Sequence, residues 1–114
     1  IIHPVPNVSS EGQVRILDAR ARLLLSLIED SHNIRACCGL SGISYSNAWE
    51  TINRLEDHLG YLVVKRQHGG KGGGATTLTE CGHRFLWTYL EFESDIQRYA
   101  QRQFVQAFSD NGLI

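Results

Sequence analysis

The run Gln67–Gly74 reads QHGGKGGG, and five of its eight residues are glycine. So much backbone freedom rules out a helix or the inside of a paired strand. On one side lies Tyr61–Arg66, YLVVKR, rich in β-branched and aromatic residues; on the other lies Ala75–Leu78, ATTL. Two short strands joined by a long glycine tip is the economical reading. Whatever else the chain folds into, that tip must stand outside the core.

The hairpin is flanked by helices. Asp18 is a plausible N-cap for a helix to about Asp30, whose apolar positions Ala21, Leu24, Leu25 and Ile28 fall on one face. Asn33 can cap a second helix over roughly Ile34–Leu40, and Gly42 supplies the tight turn after it. Ser44 caps a third helix from Tyr45 to about Leu59, with Ala48, Ile52, Leu55 and Leu59 as its inward stripe and Gly60 as its stop. Thr79 caps a last helix that meets neither Gly nor Pro between His83 and Asn111, a span of roughly 40 Å at helical rise. Phe85, Tyr89, Phe92, Ile96 and Tyr99 recur along it at the 3.5-residue period of a seam with a partner helix. Ahead of all this, residues 1–12 hold both prolines and read as a loose arm, and Gln13–Leu17 as a short strand.

This order predicts a mainly α fold with a small β-hairpin: a winged helix-turn-helix followed by a long C-terminal dimerisation helix. The 114 residues suit one domain, divided as 1–17 arm, 18–78 winged helix and 79–111 long helix. In such a fold the second helix of the pair reads bases in the major groove from its N-terminal outward face, while the wing tracks phosphates. Tyr45, Ser46, Asn47 and Arg54 are therefore the base-reading or groove-facing candidates; Asn47 suits a bidentate bond to adenine and Arg54 reaches a guanine edge or a phosphate. Ser44, Thr51, Lys65, Arg66 and Lys71 are the phosphate candidates. Trp49, beside the inward stripe, is expected to pack between the reading helix and the wing. Glu56 and Asp57 are expected to point away from DNA, and Glu50 to serve a surface role. The net charge of −1 speaks against nucleic acid, yet Val63–Thr77 carries Lys65, Arg66 and Lys71 with no acid.

Other functions find little footing. No apolar run approaches the ~20 residues of a membrane span, and the N-terminus has no signal-peptide layout, so a cytoplasmic protein is expected. Cys37, Cys38 and Cys81 form no CxxC pair and the five histidines no ligand spacing, so neither a metal site nor a cofactor is expected. Lys71 is followed by Gly72 rather than Ser or Thr, and its loop joins two strands, which is not a P-loop. No nucleophile and base are brought together in sequence, and an enzyme is not expected. The rival reading is a protein-interaction module that uses the same fold without binding DNA.

The run GISYSNAW through Ile52 and Asn53, then GGKGGGA, then Leu78-Thr79 and Gly82, resembles the DNA-binding part of ModE-type molybdate-responsive regulators. Leu55-Glu56, Leu59-Gly60 and Arg66 also resemble the wider LysR-type winged helix. The match covers roughly residues 18–90. The resemblance implies a homodimer paired through its long helices, a near-palindromic double-stranded operator, and control of molybdate uptake or molybdoenzyme genes. Regulators of this type carry a C-terminal oxyanion-binding module; the expectation for this chain, which stops at Ile114, is that it lacks one, and no molybdate or other small-molecule site is assigned.

Overall fold

The structure is a computed structural model that describes residues 18–67 and 74–114. The arm, the strand expected at Gln13–Leu17, His68 and the wing-tip Lys71 lie outside the described residues. Helix α1 spans Ala19–Ser31, α2 Ile34–Ser41 and α3 Tyr45–Leu59. Strands β1, Val64–Arg66, and β2, Thr76–Leu78, follow, and α4 runs Glu80–Asp110. This is a winged helix-turn-helix with a long terminal helix, mainly α as the sequence predicts.

The caps read from sequence are in place. Asp18 accepts from the Arg20 amide, Asn33 from the amides of Arg35 and Ala36, Ser44 from Asn47 and Thr79 from Gly82. Each satisfies a helix-end donor that would otherwise lack a partner. Gly42 ends α2 at φ 75°, a left-handed turn that a Cβ disfavours, and this turn sets α3 across α2.

One core joins the elements. Leu24, Leu25 and Ile28 of α1 meet Cys37 of α2, Ala48, Ile52 and Leu55 of α3, Val63 and Val64 before and in β1, Leu78 of β2 and Leu86 of α4. The strands are antiparallel with Val64 opposite Leu78 and Arg66 opposite Thr76. β1 begins three residues later than the YLVVKR pattern suggests. The reason is Glu56: its carboxylate accepts the amides of Val63 at 2.8 Å and Val64 at 3.3 Å, turning this stretch against the end of α3. Tyr61 and Leu62 are left exposed.

The Leu78-Thr79-x-x-Gly82 segment locks α4 onto the hairpin. Thr79 donates its amide to the Val63 carbonyl at 3.0 Å and its hydroxyl to the Leu62 carbonyl at 2.7 Å. Gly82 then passes so close that a Cβ there would sit 2.1 Å from the Val63 oxygen. His83 Nδ1 lies 2.6 Å from Glu29 Oε2, and Arg22 Nε 3.3 Å from Glu93 Oε1, tying α4 to α1.

The seam expected along α4 needs correcting at its start. Tyr89 is only 8% exposed and Phe85 packs partly on the protomer's own core, the two rings edge to face at 5.9 Å. The heptad spacing is sound, but the protomer's own fold covers the first two positions. Phe92, Ile96 and Tyr99, at 45%, 51% and 56% exposure, continue the stripe uncovered. Farther along, Phe104 and Phe108 stack at 4.1 Å beside exposed Val105, on a different side of the helix.

Candidate nucleic-acid interface

Helix α3 turns Ala48, Thr51, Ile52 and Leu55 inward, and this leaves Ser44, Tyr45, Ser46, Asn47, Glu50, Asn53 and Arg54 on the solvent side. Three of the expected base readers, Tyr45, Ser46 and Asn47, thus sit exposed together in its first turn. Arg54 is exposed about two turns farther along, where its guanidinium meets Glu50 at 2.6 Å. Ser46, Trp49, Glu50, Asn53, Arg54 and Asp57 line a shallow concavity on this face, so Asp57, expected to point away from DNA, instead shares it, about three turns after Ser46 on the same side of the helix. Glu50 is thereby part of the surface rather than remote from it, and it holds Arg54 in the helix's own i,i+4 geometry.

Among the phosphate candidates, Thr51 must be withdrawn. It is 5% exposed, and its hydroxyl donates to the Asn47 carbonyl at 2.8 Å. Residue 51 falls three after Ala48 and four before Leu55, which places it on the buried face. The 4-3-4 stripe of purely apolar positions hid this, because a threonine can bury its methyl once its hydroxyl bonds back along the helix. Ser44 remains exposed; its oxygen accepts the Asn47 amide at 3.2 Å, leaving the hydroxyl proton to donate. Lys65 is exposed on β1.

Arg66 is a second tie between the wing and α3, beside Glu56. Its Cζ lies 3.7 Å from the centroid of the Trp49 ring, and one amino group donates to Asn53 Oδ1 at 3.1 Å. Trp49 is half-buried against the core and packs between α3 and β1, as expected. The stacked guanidinium holds the outward face of α3 and the end of β1 on one side of the molecule. Glu56 is spent on the backbone of Val63 and Val64, turned away from that side.

Sequence reasoning missed Arg35. It stands exposed at the start of α2 with its Cζ 5.0 Å from the Tyr45 centroid. Nothing in the α2 sequence signals this, since the aromatic partner lies ten positions on and across the turn. Among the described residues no group of three or more His, Cys, Asp or Glu is arranged to hold a metal ion. Cys37 is buried, and burial raises its thiol pKa, whereas Cys81 is exposed. Among the described residues no helix is long and apolar enough to cross a membrane.

No protein-family model matches the chain. It is similar to the transcriptional regulator ModE of Yersinia pestis, 33% identical over 96 residues, covering 84% of this chain and 35% of the relative. It is also similar to the DNA-binding transcriptional dual regulator ModE of Escherichia coli K12, 34% identical over 97 residues, covering 85% and 35%. The molybdenum transport protein ModE of Azotobacter vinelandii is 33% identical over 89 residues, covering 75% and 33%. The chain spans about a third of the length of the curated relatives it matches.

Proposed function

With a ModE-like DNA-binding domain related to those regulators over about 85% of its length, the chain, we propose, is a transcriptional regulator that binds double-stranded DNA sequence-specifically. The observation that carries this reading is the shared exposure of Tyr45, Ser46 and Asn47 at the start of α3, with Arg66 of the wing stacked on the same helix. A groove-reading helix and a phosphate-tracking strand are useful only when they face one duplex together. In this reading Asn47 and Ser46 contact base edges, Arg54 exchanges Glu50 for a base or phosphate, and Ser44, Lys65 and Arg66 contact the backbone.

The functional unit is a homodimer whose α4 helices pair through Phe92, Ile96 and Tyr99, presenting two α3 helices to a near-palindromic operator. Three exposed apolar residues at heptad spacing are the support for this seam. The name of the Azotobacter vinelandii relative, a molybdenum transport protein, extends the reading to genes of molybdenum transport. A mobility-shift assay on genomic fragments at two salt concentrations tests it. Binding confined to few fragments, weakening with salt, is the expected result. Absence of any shifted fragment at low salt refutes DNA binding and favours the protein-interaction reading.

A further inference from the structure

We propose that Tyr45 and Trp49 are platforms rather than readers, and that they hold two guanidinium groups, Arg35 and Arg66, against the DNA backbone on the two flanks of the reading helix. The inference rests on the DNA-binding reading above and assigns a phosphate ligand, Arg35, on the helix preceding α3.

Four side chains from three elements form a continuous ladder. Arg35 of α2 lies 5.0 Å over Tyr45, Tyr45 meets Trp49 edge to face at 6.3 Å, and Arg66 of β1 lies 3.7 Å over Trp49. A guanidinium over a ring face is held by the ring's quadrupole while its N–H groups remain directed outward in the plane. Among the described residues Arg66 commits one donor, to Asn53. The planar fork that remains matches a phosphate's oxygens.

Arg35 has no helical reason to be where it is. It sits in the first turn of α2, directly behind the Asn33 cap, at the end of the helix where a cation is disfavoured. A cation that breaks this local rule and lies over an exposed ring of the neighbouring helix points to function. The element also fits, since the first helix of a helix-turn-helix crosses the DNA backbone. Stacking in turn occupies Tyr45: one side of its ring carries Arg35 and it contacts Trp49, so its work is orientation.

The test uses the whole chain and a labelled mixed-sequence duplex, whose binding is governed by the phosphate contacts, titrated by anisotropy across salt concentrations. Arg35→Gln is expected to flatten the slope of log affinity against log salt by about 0.9, and to weaken binding about fivefold at about 0.15 M salt. Tyr45→Leu is expected to do the same, and the double variant no more than either single one, because both remove one contact. Tyr45→Phe keeps the ring and is expected to bind as wild type. Circular dichroism of each variant checks the fold, and both residues are exposed. A wild-type slope for Arg35→Gln, with wild-type protein still bound to duplex, overturns the inference and leaves the DNA-binding reading intact. Tyr45→Phe as weak as Tyr45→Leu overturns the platform role. A wild-type chain that binds no duplex overturns both readings.

Discussion

Gly82→Ala inverts what helix propensity alone would dictate. Alanine is favoured over glycine within a helix by about 1 kcal/mol. At residue 82, however, the new methyl would lie 2.1 Å from the Val63 oxygen and 2.9 Å from its carbonyl carbon. Comfortable carbon contacts lie at about 3.5–4.0 Å, so α4 and the β1 approach must part by about 1 Å or more. That same oxygen accepts the Thr79 amide at 3.0 Å, and the parting breaks this bond. Overpacking costs about 1–3 kcal/mol, and an orphaned buried group about 1–3 more. After the propensity gain is subtracted, the net loss is about 1–5 kcal/mol, with ~3 kcal/mol at the middle of the range. In a domain of this size that lowers the melting temperature by about 10 °C or more. Gly39 in α2 is the matched control: a Cβ there meets nothing within 4 Å, so Gly39→Ala is expected to stabilise by about 0.5–1 kcal/mol. Urea unfolding followed by far-ultraviolet circular dichroism, at one fixed protein concentration, reads both variants. A neutral or stabilising Gly82→Ala refutes the close approach of α4 to Val63.

Other consequences follow from particular contacts. Glu56→Ala strands the amides of Val63 and Val64 and is expected to cost about 2–3 kcal/mol in urea unfolding, with Glu56→Gln losing less because one acceptor remains. Burial raises the Cys37 and Tyr89 pKa values. These groups stabilise the fold fully below their unfolded values and lose that contribution as pH rises through the folded ones. Urea midpoints should therefore fall between about pH 8 and pH 11, and a thiol reagent at neutral pH should label Cys81 well before Cys37. Phe92→Asp together with Ile96→Asp is expected to yield a folded monomer in sedimentation at micromolar concentration; an unaltered sedimentation coefficient removes the seam. Asn47→Ala should relax preference at one base step at a cost of about 1–3 kcal/mol, and a loss uniform over all sequences would show that Asn47 does not read bases.

Local chemistry carried much of this protein without help. Asp18, Asn33, Ser44 and Thr79 announce helix starts because each offers an oxygen to amides that a helix leaves bare, and Gly42 and Gly60 announce stops because each accepts a left-handed backbone. The hairpin was legible for a similar reason, two β-prone runs about a segment too glycine-rich to be anything but a tip. What neighbouring residues cannot encode is which of several exposed-looking positions a second element will cover. Thr51 reads as available, but its back-bond to Asn47 lets it join the buried face; Phe85 and Tyr89 read as partner contacts, but the protomer's own fold covers them. The same holds for Glu56 reaching seven residues on to Val63, for Arg66 reaching thirteen back to Asn53, and for Arg35 lying over Tyr45. Periodicity and capping act over a single helical turn, whereas burial and stacking depend on the crossing of elements, and only the folded chain decides those.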